Sequence, residues 1–369
     1  MERTTPLTSQ SSDRPSTPEP AAFSPSGPFQ GFASDNHAGV HPEILTAITA
    51  ANEGPQQAYG HDEYTERLRG VMRRHFGEQA ETYPVFNGTG ANVVGLQAMA
   101  EPWSSVLCTR TSHINVDECG AAERVGGLKL VPIETPDGKL TVDLVEPYAW
   151  GWDDPHHAQP KIIAITQSTE LGTLYTPEEI ATLASWAHER GMLLHVDGAR
   201  LCNAAAALDL PLRAFTTDVG VDVLSFGGTK NGLLAGEAIV VLNPSAVRGI
   251  EYVRKMGMQL ASKMRYLSAQ LIALLEGDLW LRNAAHANAM ARRLAEAVRA
   301  VPGVRITQPV QANAVFAVIP PDAADRLRER YQFWTWDEKT GEVRWMCSFE
   351  TTEDDIAAFA KALAEEMSA

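Results

Sequence analysis

This chain of 369 residues has few cysteines and a net negative charge, and it lacks long apolar runs. Its four cysteines show no CxxC spacing, so we expect neither a disulfide framework nor a metal site, and we predict a reducing, cytoplasmic location. Charges or glycines interrupt every apolar run, which argues against a membrane-spanning helix. The net charge of −15 argues against a nucleic-acid or anionic-membrane partner.

The composition divides the chain into a tail and a globular part. Residues 1–28 are rich in serine, threonine and proline, and such a segment cannot bury enough apolar surface to offset its chain entropy, so we expect a disordered tail. The remaining length is sufficient for two domains. We predict a large domain over residues 29–250, of which 29–50 could pack with the second domain. Connecting helices and a small domain would occupy residues 251–369.

Short apolar runs alternate with helical patterns through most of the large domain. This alternation predicts an α/β fold with a mostly parallel sheet covered by helices on both faces. Beyond Pro244 the pattern changes, and two long helices are predicted over residues 254–276 and 279–301. Short strands and helices follow, which predicts a smaller α+β domain at the end of the chain.

Two successive strand patterns end in an acid and an amine. The first ends in Asp197, and the second leads into the glycine-rich segment 225–232, which presents Lys230. This pair suits a pyridine cofactor, because a carboxylate keeps the ring nitrogen protonated and a lysine forms a Schiff base. We therefore predict an enzyme dependent on pyridoxal phosphate (PLP). The alternatives are a helix N-cap for Asp197 and a solvated loop lysine for Lys230.

Further candidates for a cofactor site lie earlier in the chain. Gly88 and Thr89 fall between a strand pattern and a helix pattern, where helix N-terminal amides and a hydroxyl could bind phosphate. A tight strand-to-helix turn is the alternative. His113, in the loop after the next strand, could stack on a planar cofactor or exchange protons near neutral pH, or it could cap a helix.

Three arginines are candidate ligands for anions. Arg200, close behind Asp197, could bind a carboxylate through two hydrogen bonds, or it could cap a helix or form a surface salt bridge. Arg344 lies among apolar and aromatic residues, where it needs either a substrate carboxylate or an internal ion pair. Arg265, inside the predicted helix 254–276, could reach a phosphate or face solvent.

These residues occur in an order that resembles the low-specificity L-threonine aldolase family of fold-type I PLP enzymes. The similarity covers about residues 29–369, and its most specific segments are HVDGARL at 195–201 and SFGGTKNG at 225–232. Segments 34–36 and 59–62 match as well. The resemblance implies a mostly parallel seven-stranded sheet with a smaller α+β domain. It also implies a homodimer or homotetramer with the active site at the subunit interface.

The resemblance also assigns roles to individual residues. Three would be catalytic and would bind the cofactor: Lys230 through a Schiff base, Asp197 at the ring nitrogen and His113 stacked on the ring. The phosphate and the substrate carboxylate would be bound by six others: Gly88, Thr89 and, from a neighbouring subunit, Arg265 at the phosphate, and Ser34, Arg200 and Arg344 at the carboxylate.

The implied reaction is retro-aldol cleavage of a β-hydroxy-α-amino acid, such as L-threonine, L-allo-threonine or a phenylserine, to glycine and an aldehyde. It would pass through aldimine and quinonoid intermediates. β-Elimination, transamination and racemisation are alternatives on the same scaffold. The base that removes the β-hydroxyl proton is open between His113, a water molecule and His61. Where the family commonly carries Glu-Asn-Thr, this chain reads TQSTE at 166–170, and Ser168 could replace the asparagine.

Overall fold

The computed structural model describes residues 31–368, which form two β-sheets and their covering helices. The predicted disordered tail, residues 1–28, lies outside the described residues. The large sheet contains seven strands: β1 (Glu81–Val85), β2 (Ser104–Thr109), β3 (Lys129–Ile133), β4 (Gln159–Thr166), β5 (Leu193–Gly198), β6 (Val223–Gly227) and β7 (Glu237–Val241). The small sheet contains four: β8 (Arg305–Ile306), β9 (Ala314–Val318), β10 (Trp334–Asp337) and β11 (Glu342–Met346).

Strand order in the large sheet is β1-β7-β6-β5-β4-β2-β3. Strand β7 runs antiparallel to both of its neighbours, and every other pair is parallel. Every residue of β2, β6 and β7 is buried, as expected for strands covered on both faces. The predicted mostly parallel sheet is therefore confirmed, and the carboxyl ends of β4, β5 and β6 lie side by side at one edge.

Thirteen α-helices are found in the described part of the chain. They are α1 (Pro42–Ala50), α2 (Glu63–Phe76), α3 (Gly88–Met99), α4 (His113–Val116), α5 (Ala121–Arg124), α6 (Val142–Val145), α7 (Pro177–His188), α8 (Leu201–Leu208), α9 (Ile250–Met256), α10 (Arg265–Leu275), α11 (Leu279–Arg299), α12 (Pro321–Arg328) and α13 (Glu353–Ser368). Between residues 31 and 368, no helix is long and apolar enough to cross a membrane.

Local capping sets helix boundaries, as the start of α7 illustrates. The Thr176 hydroxyl accepts from the Glu179 amide, and the Glu179 carboxylate accepts in return from the Thr176 amide, which begins α7.

The single helix predicted over residues 254–276 is wrong. The structure has α9 and α10 instead, separated by residues 257–264. Met258 adopts φ 61°, in the left-handed region that cannot continue an α-helix. Gly257 packs so closely on α3 that an added Cβ would lie 3.0 Å from the Val94 side chain. Arg265 is consequently the first residue of α10 and does not lie in the middle of a helix.

The small sheet is antiparallel throughout, in the order β10-β11-β9-β8. Its buried face packs with α11 and α13 around the aromatic rings of Phe333, Trp345 and Phe359. Phe32 belongs to the same core, and its carbonyl accepts a hydrogen bond from the Met346 amide (2.8 Å). The beginning of the described chain is therefore joined to the small sheet. The boundary near residue 250 stays a prediction.

Candidate active site

A cavity of about 280 Å³ lies at the carboxyl ends of β4, β5 and β6, beside the N-terminus of α3. Its walls include six of the nine residues that the sequence indicated: Gly88, Thr89, His113, Asp197, Arg200 and Lys230. The topology explains this convergence, because parallel strands bring the loops at their carboxyl ends together at one edge of the sheet.

Asp197 lies near the end of β5 and is only 8% exposed. Asn92, from α3, donates its side-chain amide to Asp197 Oδ2 (2.8 Å). The backbone amide of Ala199 donates to Oδ1 (3.0 Å). The helix and the following turn therefore hold the carboxylate in one orientation at the cavity wall.

Lys230 follows β6 in a single helical turn, Thr229–Asn231, and lines the same cavity. Among the described residues, no atom forms a hydrogen bond with its amine. Burial, and secondarily the charge of Arg200, lowers the pKa of Lys230 in spite of the nearby carboxylates. A lowered pKa increases the fraction of free amine, the form that attacks a carbonyl group.

The glycines before Lys230 allow the ends of β5 and β6 to pack closely. An added Cβ at Gly227 would lie 2.5 Å from the Ala199 carbonyl oxygen. Glu237, on β7, accepts from the Gly228 amide (2.6 Å) and so fixes the start of the lysine turn. Burial raises the pKa of Glu237, against the donors that surround it.

His113 begins α4 and is joined to two acids. Its Nδ1 lies 3.0 Å from Glu118 Oε1, and its backbone amide donates to Glu170 Oε1 (3.0 Å). The hydrogen bond to Glu118 raises the pKa of His113, although burial opposes this. Asn92 Nδ2 also donates to Glu118 Oε1 (2.9 Å), so a continuous chain of contacts links His113 to Asp197.

The N-terminus of α3 forms another wall of the cavity. Asn87 caps this helix by accepting from the Gly90 amide (2.8 Å), and Gly88 and Thr89 begin its first turn. A Cβ added at Gly88 would have no neighbour within 4 Å, which shows open space next to the helix amides. Free amides and the helix dipole make such a position suitable for a phosphate.

Arg200 is paired within the chain. Its Nε and Nη2 donate to the two oxygens of Asp35 (2.7 and 2.9 Å), and Asn313 donates to Asp35 Oδ2 (3.0 Å). Burial is the largest single influence on Asp35 and would raise its pKa, but the charge and hydrogen bonds of Arg200, with smaller contributions from Lys230 and Asn313, together outweigh burial and lower the pKa. Arg200 thus forms an ion pair, but the pair is largely buried and is not the surface salt bridge given as an alternative, and Arg200 still lines the cavity.

Three predicted residues do not line this cavity. The Ser34 hydroxyl accepts from the Asn36 amide (3.2 Å) and borders a neighbouring cavity, while Arg265 donates to the Gly54 carbonyl (2.8 Å). Arg344 lies over the Trp336 ring at 5.1 Å, and burial lowers the pKa of Arg344 to about 10. His61, a candidate base, borders a separate cavity beside α2. The roles of these residues remain predictions.

Sequence reasoning missed several polar residues at the site. Asn92 lies in the otherwise apolar run ANVVG, and Glu237 begins the apolar strand EAIVV. A polar residue within a buried run was the available signal, because such a group requires a partner. Glu170 gave a weaker signal, since it follows β4 in a polar loop. No group of three or more His, Cys, Asp or Glu in residues 31–368 is arranged to hold a metal ion.

The residues that line the cavity fit pyridoxal phosphate. A lysine amine without a hydrogen bond, a buried carboxylate and an open helix N-terminus face one cavity. The family model for β-eliminating lyases matches residues 31–320. The chain belongs to the β-eliminating lyase family.

Named relatives within this lyase family indicate the type of lyase. The chain is 42% identical over 334 residues to the low specificity L-threonine aldolase of Pseudomonas aeruginosa, covering 90% of this chain and 96% of that protein. It is 41% identical over 342 residues to the protein of the same name from a Pseudomonas species, covering 92% and 99%. The solved structure of Leishmania major threonine aldolase is 28% identical, with a TM-score of 0.86, covering 92% and 99%.

These similarities confirm the predicted family and fold type. The lyase has the α/β fold of fold-type I PLP enzymes, and it is a PLP-dependent carbon–carbon lyase of the threonine aldolase type. A glycine decarboxylase structure at 19% identity, with a TM-score of 0.68, shares the fold alone.

Proposed function

We propose that this lyase cleaves L-threonine and related β-hydroxy-α-amino acids to glycine and an aldehyde. The observation that carries the proposal is the convergence of Asp197 and Lys230, from the adjacent strand ends of β5 and β6, on one cavity. The names of the Pseudomonas relatives, low specificity L-threonine aldolase, support the substrate class. A comparison of threonine, allo-threonine and phenylserine as substrates would show which aldehyde side chain the enzyme prefers.

Each wall of the cavity would bind a different part of the cofactor and substrate. PLP, when bound, supplies a ring that accepts the electron pair of a breaking Cα–Cβ bond. Asp197, held by Asn92, would keep the ring nitrogen protonated, and Lys230 would anchor the cofactor through its free amine. His113, oriented by Glu118, would pack on the ring. The first turn of α3, with Gly88 and Thr89, would bind the phosphate.

Arginine residues would orient the amino acid through its carboxylate. Arg200 keeps one terminal nitrogen that takes no part in its contact with Asp35. Arg344 has a buried Nε without a partner among the described residues. With Ser34 as a further donor, these cations would fix the carboxylate so that the Cα–Cβ bond is correctly oriented. Arg265 would contribute to the phosphate site from another subunit.

We further propose a homodimer or homotetramer with the active site at the subunit interface. Phe86, Leu234 and Met258 are large apolar residues of 42%, 58% and 76% exposure, and Phe86 lines the cavity itself. Burial of such side chains by a second subunit would stabilise the assembly. Light scattering coupled to size-exclusion chromatography would test this, and a monomer at micromolar concentration would contradict it. A cytoplasmic location is also proposed, since all four cysteines are free thiols.

The direct test is an aldehyde-release assay on D and L forms of threonine, allo-threonine and phenylserine. Wild-type protein should show the visible absorbance of a cofactor held by lysine as a Schiff base, and it should release an aldehyde and glycine. Borohydride should abolish this absorbance and make the link to lysine irreversible, because it reduces the C=N bond to an amine. Lys230→Ala should lose both properties, whereas Lys361→Ala, at an exposed position of α13, should keep them. Pyruvate and ammonia in place of an aldehyde would favour β-elimination. Release of no aldehyde from any of these substrates would disprove the proposal.

A further inference from the structure

Glu170 contributes a buried carboxylate oxygen to the cavity that no described residue satisfies. Its Oε1 accepts from the His113 amide (3.0 Å) and from the Thr166 hydroxyl (2.7 Å). Its Oε2 is shielded from solvent and has no hydrogen-bond partner within residues 31–368. Leaving such an atom unpaired costs free energy, so its position at a ligand cavity indicates a hydrogen-bond donor supplied by the ligand.

We propose that Glu170 is the base that accepts the β-hydroxyl proton of the substrate. This inference rests on the proposed function. Glu170 Oε2 takes the proton as the Cα–Cβ bond breaks and the hydroxyl oxygen becomes the carbonyl oxygen of the aldehyde. The electron pair of the broken bond remains with the glycine fragment, whose α-carbon takes up a proton before glycine leaves. Glu170 then returns its proton to solvent, so no further reactant is needed.

The environment of Glu170 suits a base. Burial, with a smaller contribution from the negative charge of Asp197, raises the pKa of Glu170. A carboxylate with a raised pKa is a stronger proton acceptor, and proton transfer is most efficient when the pKa of the base lies near the working pH. The two donors to Oε1 hold the carboxylate in place and leave Oε2 for the substrate.

The other imidazole and carboxylate groups named at the cavity contact residues on the cofactor side or at the turn that carries Lys230. His113 Nδ1 contacts Glu118, and this contact raises the pKa of His113, so a larger fraction of the imidazole is already protonated. Glu237 accepts from the amide of Gly228 at the lysine turn. Glu118 Oε2 is also unpaired, but its Oε1 bridges His113 and Asn92, the residues on the cofactor side. Glu118 is therefore the matched comparison for Glu170.

The experiment separates cleavage from a reaction that needs no β-hydroxyl group. With holoenzyme of wild type, Glu170→Gln and Glu118→Gln, we would measure aldehyde release from the best substrate of the panel. We would also measure exchange of the glycine α-proton for deuterium by NMR, and cofactor retention by equilibrium dialysis. Glu170→Gln should lose about 10²- to 10⁴-fold in cleavage. It should keep wild-type glycine exchange and cofactor retention. Glu118→Gln should not separate cleavage from exchange.

The pH profile supplies a second readout. Wild-type kcat/KM should fall as the pH drops through the raised pKa of a carboxyl group, and Glu170→Gln should lack this dependence. Unchanged cleavage, or a parallel loss of cleavage and exchange, in Glu170→Gln would overturn the role of Glu170. Selective loss of cleavage in Glu118→Gln would assign the role to Glu118 instead. A wild type that exchanges glycine but releases no aldehyde from the panel would overturn the proposed function, and this inference with it.

Discussion

Asn92 Nδ2 lies 2.8 Å from Asp197 Oδ2 and joins helix α3 to the acid at the end of β5. The same nitrogen lies 2.9 Å from Glu118 Oε1, which in turn contacts His113. One buried amide therefore connects the acid proposed for the ring nitrogen with the histidine proposed for the ring face. The orientation of Asp197 depends on a residue 105 positions away in the sequence.

Replacement of Asn92 should weaken cofactor binding. Asn92→Ala removes a hydrogen bond to a charged group, worth about 1.5–3 kcal/mol. We expect the dissociation constant of PLP to rise by at least about tenfold, since a factor of ten corresponds to about 1.4 kcal/mol. Equilibrium dialysis against PLP measures this constant. Gln97→Ala, on the same helix, should leave it unchanged, and equal affinities of Asn92→Ala and wild type would refute the prediction.

The Asp35–Arg200 pair should contribute strongly to stability. Asp35→Asn leaves a buried guanidinium without its counter-charge, and we expect the free energy of unfolding to fall by about 3 kcal/mol. Urea denaturation measures this change. Asp218→Asn breaks the corresponding exposed contact with Arg213 and should have a much smaller effect. A comparable loss in both variants would contradict the role of burial.

The pH dependence of the stabilisation by the Asp35–Arg200 pair follows from the pKa of Asp35. Because Arg200 and the other partners of Asp35 hold its pKa below the ordinary value of 3.8, the stabilisation is complete above about pH 4 and is lost as the pH falls through the folded-state pKa. Wild type and Asp35→Asn should therefore differ most in stability above pH 4 and converge in strong acid. A difference that persists unchanged at low pH would argue against this linkage.

His195 should make the protein sensitive to mild acid. Burial lowers the pKa of His195 to about 4, so the unfolded chain binds a proton between pH 6.5 and 4 that the folded protein does not. Stability should fall over this window by roughly 3 kcal/mol, at 1.36 kcal/mol per pH unit. His195→Gln should flatten the dependence in urea titrations at several pH values. His156→Gln, at an exposed position, should keep the wild-type slope.

Gly227 should tolerate no side chain. In Gly227→Ala the new Cβ would lie 2.5 Å from the Ala199 carbonyl oxygen, so the ends of β5 and β6 would have to move apart. We expect a loss of about 1–3 kcal/mol in stability and reduced aldehyde release, because Asp197 lies at the end of β5 and Lys230 follows the end of β6. Gly70→Ala, with no neighbour within 4 Å in α2, should be neutral or stabilising by up to about 1 kcal/mol. Equal melting temperatures for Gly227→Ala and wild type would contradict the prediction.

Local sequence signals determined the elements and the most specific site residues. Helix α2, Glu63–Phe76, follows from local properties of the sequence, namely its apolar period and the basic residues of its last turn. The cap at Thr176 is also a local feature, because its partner Glu179 lies only three residues away. Asp197 and Lys230 were identified because each lies at the end of a strand pattern or just after it, and parallel strands must bring such positions to one edge of the sheet.

Only the tertiary structure decided the partners of these residues. Arg200 meets Asp35 across 165 positions of sequence, and Glu170 meets the amide of His113 across 57. It also showed the break between α9 and α10, where Gly257 packs closely on α3 and Met258 adopts a left-handed backbone conformation. Propensity and periodicity act over a few residues, whereas ion pairs, unpaired carboxylate oxygens and close backbone contacts depend on how distant elements pack. The sequence therefore indicated which cofactor the cavity suits, and the fold decided which side chains are free to act in it.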